Sequence, residues 1–406
     1  MEYLVLIFIY IISFLLESQF HVVMLIMITL FMMKKVYELD KIWIIPSFFI
    51  FVYLFPFYHY FFLDTKISYY IKYNNLENIV EVFKQLYLFI ILFYLFLEYD
   101  IKKFKFKRVN YSKEKKMKSK KGKLMFYIYI ILFLVINLLV IYESSKKIGG
   151  YKSVSSSLTE YSYILYLLGY KYSFGKNKKR VHIGIGILII LLIFSLGSRI
   201  QGVQLGIIIF FLYFSDKFNK KKQLLYAGIG YIVMKFIGTF RANTSIVELF
   251  MDTKKAYLVN NAADIIYAGV VFNHANKYLF TPNMRISSLF LYLKNIFMKR
   301  SGGDLGILSS YLQNHVAFYG GGGFIFNYFI IWFGGITGVI LSCYIITTVL
   351  KKSFLSKRMF DSLNFILIVA LIPRWFVYDP ITFLKLPLCF MIIYYLDRVV
   401  QKIIRN

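Results

Sequence analysis

Five arginines and one histidine carry most of the chemistry this sequence offers. Arg199 lies in Phe194-Ser-Leu-Gly-Ser-Arg-Ile-Gln-Gly202, between two short apolar runs that almost no loop separates. A cation at membrane depth costs roughly 2.5–3.5 kcal/mol on insertion scales, so it persists where it pairs or lines a cavity. Arg199 is therefore expected in a depression of the outer face, where its fork of donors suits a phosphate. Arg241, in Gly238-Thr-Phe-Arg-Ala-Asn243, and Arg374, in Ile372-Pro-Arg-Trp375, end other apolar runs on the same expected face. Three such arginines can converge on one anion. The plainer alternative for each is an interfacial anchor whose head snorkels to water. Arg285 and Arg300 flank an amphipathic stretch and suit the cationic edge of a helix lying on anionic headgroups. His315, in Gln313-Asn-His-Val316, has an ordinary pKa near 6.5, which suits a base at neutral pH. Its alternative is a loop histidine with a satisfied hydrogen bond. His274, in Asn273-His-Ala-Asn276, is a weaker rival, and His21, His59 and His182 sit in or beside apolar runs as packing residues.

Other groups point away from chemistry. The histidines show no HxxxH or HExxH spacing, and Cys343 and Cys389 each sit inside an apolar run. No metal, cofactor or disulfide framework is implied. Gly320-Gly-Gly-Gly323 lacks a following Lys-Ser/Thr, so it is no Walker A loop. It reads as a flexible lead-in to the next helix. Gly184, Gly186, Gly228 and Gly230 lie inside helices, where small residues permit close helix contact.

The elements that position these residues are membrane helices. Of 406 residues, 59% are hydrophobic, against roughly 45–50% in soluble proteins. The net charge is +29, and this marks cytoplasmic loops rather than a nucleic-acid surface. A spanning helix needs about 20 apolar residues. Clear spans are 42–63, 79–97, 124–142, 224–240 and 324–350, the last long enough to tilt or to begin outside the membrane. Shorter spans are 158–174, 181–196, 200–214, 363–372 and 381–396. Residues 3–33 are too long for one crossing and read as two helices turning at Glu17, Ser18 and Gln19. A single tilted helix is the alternative. The N-terminal run lacks a basic n-region and a cleavage site, so it reads as a retained helix. The chain is expected to be all-α, one polytopic membrane domain over 1–406 with about twelve spans.

Orientation follows the basic residues. Residues 99–123 carry twelve Lys and Arg and form a cytoplasmic loop. The basic stretches 176–180, 217–222, 351–358 and 398–405 fall on the same side, which puts both termini in the cytoplasm. The outward side holds 64–78, 143–160, the turn 197–199, the long stretch 241–316 and 373–380. Within 241–316, Ile286, Leu289, Phe290, Leu293, Ile296 and Phe297 recur at helical spacing over 285–300. That suits a helix lying in the membrane interface, and 245–259 is a weaker example.

The arrangement resembles Wzy-type oligosaccharide repeat-unit polymerases, which make O-antigen and capsular polysaccharide. Three features carry the resemblance: the Gly-Ser-Arg turn at 197–199 between two short helices, the large outward loop in the second half, and Gly320-Gly-Gly-Gly-Phe-Ile-Phe-Asn-Tyr-Phe-Ile-Ile-Trp-Phe-Gly-Gly335, similar to the family's "G…Y…FG..G" segment. Many members carry an acidic residue in that last segment, where this chain has Asn327. The resemblance implies a metal-independent glycosyltransferase at the outer face of a bacterial cytoplasmic membrane. Glycan passes from its undecaprenyl pyrophosphate carrier to the non-reducing end of an incoming lipid-linked unit. It implies Arg199, Arg241 and Arg374 as a pyrophosphate clamp, with Arg285 and Arg300 as further contacts. His315 would be the base, and Tyr311, Phe318 and Tyr319 would stack on sugars. The expected partners are undecaprenyl-pyrophosphate-linked oligosaccharide, membrane lipids and a chain-length regulator protein. An O-antigen ligase-like transferase and a lipid-linked oligosaccharide flippase are the alternative functions.

Overall fold

A computed structural model describes residues 2–13, 18–56, 76–101, 120–146, 156–241, 260–298, 304–316, 322–356 and 358–405. Helix accounts for 87% of the structure, and no strand occurs among the described residues. The all-α expectation holds. The chain gathers into two compact units that interleave in sequence.

Unit 1 comprises Met1–Phe106, Val247–Leu355 and Arg374–Ile381. Its helices are α1 (Glu2–Ser13), α2 (Ser18–Glu38), α3 (Ile44–Phe51) and α4 (Leu76–Ile101). α10 to α14 follow later in the chain. Unit 2 comprises Lys107–Ile246, Ser356–Pro373 and Thr382–Asn406. It holds α5 (Lys120–Ser145), α6 (Ser156–Lys171), α7 (Lys176–Ser195), α8 (Arg199–Tyr213) and α9 (Lys220–Arg241). The later helices of unit 1 are α10 (Asn260–Tyr278), α11 (Pro282–Phe297), α12 (Leu308–His315), α13 (Ile325–Phe333) and α14 (Gly335–Leu355). Unit 2 closes with α15 (Met359–Ala370) and α17 (Thr382–Arg405), and the short α16 (Ile372–Trp375) straddles the division.

Among the described residues, three helices are long and apolar enough to cross a membrane: Ile79–Glu98 within α4, Gly122–Ser145 within α5, and Gly335–Leu355. Their outer faces suit lipid. α5 exposes Leu124, Tyr127, Ile131, Val135, Leu139 and Tyr142 while burying Asn137, an apolar exterior around a polar contact.

Residues 3–33 make two helices, as expected, with Ser18 and Gln19 opening α2 rather than lying in the turn. Lys35 near the end of α2 is ion-paired with Glu2 at the start of α1. In a continuous helix those residues would lie about 50 Å apart. Span 42–63 is no regular helix over its described part, because α3 is flanked by 3-10 turns at Lys41–Trp43 and Val52–Leu54. Span 324–350 breaks at Gly334, whose φ is 85°. The L-residue sterics that forbid that angle are absent in glycine. A Cβ on Gly338 would lie 2.5 Å from the Phe329 carbonyl, so the first turn of α14 packs on the backbone of α13. Within 241–316, α10 is no surface segment: Ile265, Ile266, Ala268, Val270 and Val271 are fully enclosed, and the helix packs on α4 and α13. The amphipathic stretches divide. Residues 285–298 form most of α11 and its C-cap, whereas 245–259 lie outside the described residues.

α11 is inverted relative to a soluble surface helix. Its buried residues are Ser288, Tyr292, Asn295 and Ile296. Ile286, Phe290, Leu293 and Phe297 stand outside, Phe297 at 79% exposure. Thr281 caps its start by accepting from the Met284 N–H, with Pro282 at the first position.

Candidate functional site

The turn between α7 and α8 places Arg199. Gly197 takes φ 78°, and the N–H groups of Gly197 and Ser198 donate to Phe194 O at 2.8 Å and Ile193 O at 3.2 Å. These bonds close the last turn of α7. The two helices then run against each other so tightly that a Cβ on Gly202 would overlap the Phe194 ring. Arg199 is the first residue of α8 and is half-buried, between buried Ser198 and Gln201. A helix N-terminus carries about half a positive charge, so guanidinium and helix end add at one place.

A buried polar belt lies beside it. Glu160, in the second turn of α6, is 2% exposed and accepts from Gln204 Nε2 at 3.2 Å. Gln204 follows Arg199 by five residues, about 7.5 Å along the axis. Tyr163 donates from its hydroxyl to Gln201 O at 2.8 Å and stands 3.4 Å from Gln204 Oε1. Asn137 of α5 donates to Ser162 Oγ at 2.8 Å, and Ser162 donates to Thr159 O at 2.6 Å. Carboxylate, amides and hydroxyls thus share one end of unit 2 with Arg199. Glu160 did not stand out in the sequence, where it marked only the edge of an outward loop. Two glutamines three apart on one face of an apolar helix, Gln201 and Gln204, were the readable sign that this face meets something polar.

The opposite end of unit 2 is a charge knot. Asp397 of α17 accepts from Lys171 Nζ at 2.7 Å, Tyr129 OH at 2.6 Å, Tyr172 OH at 2.7 Å and Gln401 Nε2 at 2.7 Å. Lys171 also lies 4.5 Å from the Tyr394 ring centre. This joins the start of α5, the end of α6 and the last turns of α17, so the basic stretches beside them share that end. His182 of α7 is enclosed: Tyr213 OH lies 2.8 Å from Nδ1, and Nε2 lies 2.9 Å from Tyr166 O. It packs, as its apolar setting implied. Gly186 likewise permits contact, its Cβ position lying 2.5 Å from Tyr166 OH. Gly184, Gly228 and Gly230 face open space, so close packing does not explain them.

The other arginines have separate surroundings. Arg241 ends α9, a helix of 22 residues against the 15 of α8. Arg374 is half-buried in α16 and belongs to unit 1. Its carbonyl accepts from Tyr378 N at 2.9 Å and Asp379 N at 2.8 Å. Arg285 is the knot of a helix corner in unit 1. Nη1 donates to Asn276 Oδ1 and Ile331 O, both at 2.7 Å, Nη2 to Asn276 O at 2.9 Å, and Nε to Phe280 O at 3.3 Å. Of its five N–H groups, four are thereby engaged. Arg300, Phe318 and Tyr319 lie outside the described residues.

His315 ends α12, exposed, with its ring stacked on Tyr311 at 4.2 Å between centres. Nδ1 lies 2.8 Å from Tyr311 O, which can only accept, so Nδ1 carries the proton. In the neutral ring that leaves Nε2 as an acceptor. The His274 ring lies 4.8 Å from that of Tyr278, tilted by 47°. Gly322 and Gly323 are not a flexible lead-in. Gly323 N donates to Val377 O at 2.7 Å and Ile325 N to Phe376 O at 2.8 Å. A Cβ on Gly322 would stand 2.4 Å from Val377 O. The glycines let two backbones meet, and the amides are spent on that meeting. Compared with known proteins, the chain matches no family model, no curated protein and no solved structure.

Proposed function

We propose that this protein is a polytopic membrane glycosyltransferase of the repeat-unit polymerase type. It joins undecaprenyl-pyrophosphate-linked oligosaccharides into surface polysaccharide at the outer face of the bacterial cytoplasmic membrane. The observation that carries the proposal is Arg199 at the N-terminus of α8, at the end of unit 2 that also holds the buried Glu160 carboxylate. Orientation is supported by the Asp397 knot, because the basic stretches flanking α5, α6 and α17 share the end of unit 2 away from Arg199. With both termini inside and about twelve crossings, Arg199 then faces outward.

The chemistry asks for charge and a proton acceptor. As the acceptor hydroxyl attacks the anomeric carbon, the bond to lipid pyrophosphate breaks and negative charge gathers on the leaving group. Donors fixed in advance stabilise that charge, and Arg199 with Arg241, both in unit 2, supply them. The hydroxyl proton needs a base, the role that the resemblance gives His315, whose Nε2 is the acceptor of its neutral ring. Lipids and a chain-length regulator are the expected partners.

The test is the glycan profile of a strain carrying Arg199→Ala at wild-type abundance. Loss of long chains, with single repeat units still reaching their acceptor, supports the polymerase. Retained full-length polymer refutes it. Long chains stranded on the carrier in a deletion strain point instead to a ligase, and the absence of outward glycan of any length to a flippase.

A further inference from the structure

Unit 2 brings two lysines together at the contact between α5 and α7. α7 opens on Lys176, Asn177, Lys178, Lys179 and Arg180, with no acidic residue in its first turn and no side-chain cap at Gly175. A helix N-terminus carries about half a positive charge, so these cations stand where the dipole disfavours them. α5 packs on α7 and begins with lysines of its own. Lys178 Nζ lies 5.2 Å from the centre of the Phe126 ring of α5. Lys123 precedes Phe126 by one turn, on the same side of α5. Both lysines therefore belong to one contact, centred on that ring. Neither pairs with a carboxylate among the described residues. The Lys178 ammonium is pushed below the ordinary lysine range, first by partial burial and then by repulsion from Lys123. The described fold holds two like charges close and sets no opposite charge against them.

The position of the pair selects the anion. Lys123 is the second residue of Gly122–Ser145, a helix long and apolar enough to cross a membrane. Its ammonium thus stands at the level of lipid headgroups. Past the two lysines, both helices turn apolar on their outer sides. Tyr127 and Ile131 follow Lys123 at helical spacing and are exposed, and Val181 and Leu188 follow Lys178 in the same way. Between Val181 and Leu188, Gly184 has open space where a Cβ would stand, which leaves a recess in the surface of α7. Cations at the boundary with apolar surface beneath them fit an amphiphile that carries a phosphate above acyl chains. A free phosphate or a nucleic acid would leave the apolar part unused.

We propose that Lys123 and Lys178 hold the phosphodiester of an anionic phospholipid where α5 meets α7, with its acyl chains along Tyr127, Ile131, Val181 and Leu188. Each ammonium donates to a phosphate oxygen, and the lipid's charge offsets the repulsion between the two lysines. The bound lipid is a resident of the fold, not a substrate. The site rests on the reading of the chain as a membrane protein and not on glycosyl transfer. It lies wholly in unit 2, and the full length of α7, about 30 Å, separates it from Arg199.

The experiment uses the full chain in an uncharged detergent. Its unfolding temperature is followed while dioleoyl phosphatidylglycerol, dioleoyl phosphatidylcholine or glycerol 3-phosphate is titrated in. A ligand that binds only the folded state raises that temperature as its site fills. Phosphatidylglycerol is expected to raise it saturably, and the other two are not. Lys123→Gln/Lys178→Gln should raise the half-saturating lipid fraction about tenfold or more. Lys221→Gln/Lys222→Gln removes the same charge from the exposed start of α9 and should leave that fraction unchanged. Without lipid, the Lys123→Gln/Lys178→Gln variant should unfold no lower than wild type, because the repulsion is gone. Lys178→Gln alone serves if the double variant does not fold. The inference is overturned if phosphatidylcholine stabilises equally, or if glycerol 3-phosphate gives the whole effect. It is also overturned if the two lysine pairs give the same loss, which would mark diffuse surface charge. The glycan profile of Arg199→Ala is unaffected by any of these results, so failure of the proposed function is read separately.

Discussion

Arg285 in unit 1 and Arg199 in unit 2 each sit in the first turns of a helix, and sequence alone offers both as anion ligands. At Arg285, two backbone carbonyls, the Asn276 carbonyl and the Asn276 amide take up four donors, and the side chain ties α10, α11 and α13 together. At Arg199, the helix end, the buried Glu160 and two glutamines gather at one end of a hairpin. The first arrangement spends four donors on one helix corner, and the second gathers polar side chains at a helix end. An arginine's role is set by which acceptors the chain brings to it, and that is a property of packing rather than of position in a motif.

The contrast can be broken by substitution. The largest loss of stability is expected away from both, at Asp397, as the reference for a fully engaged charge. Asp397→Ala strands the Lys171 ammonium and should cost ~3–5 kcal/mol, read from unfolding in nanodiscs. Arg285→Ala should follow at about 3 kcal/mol, with Arg285→Lys recovering under half because an ammonium lacks the planar fork. If Arg285→Ala unfolds like wild type and instead abolishes polymer, the contrast fails. Arg199→Ala should shift stability by less than about 1 kcal/mol while lowering polymerisation on the order of 100-fold or more.

The smallest effect sharpens the picture of α10. Burial pushes the Asp264 carboxyl above its usual range. The folded protein therefore holds this proton to higher pH than the unfolded chain does, so Asp264 costs stability as pH rises past the ordinary carboxylate value. Asp264→Asn should unfold at a higher temperature than wild type at neutral pH, and the two should converge in acid. A constant difference at all pH values would remove burial as the cause.

The sequence made some of this legible and hid the rest for physical reasons. Long apolar runs located α4, α5, α7 and α9 to within a few residues, because hydrophobic length is a local property. The hairpin of α1 and α2 was readable from three polar residues in its middle. The break at Gly334 was not: Gly334-Gly335 sits in an unbroken apolar run, and the bend there goes with the close approach of Gly338 to the Phe329 backbone. α10 was read as part of a loop because its Asn, Asp and His residues lower its hydropathy, yet Asn273 is inside for a partner 188 residues away. Glu160 escaped for the same cause, since its neighbour Gln204 comes from another helix.

The inverted face of α11 has a practical consequence. Ile286, Phe290, Leu293 and Phe297 form a strip about 16 Å long that water wets poorly. During extraction it becomes the surface through which copies of the protein adhere. A surfactant micelle wrapped only around α4, α5 and α14 would leave this strip bare, so a preparation stays monodisperse only if the amphiphile also coats α11.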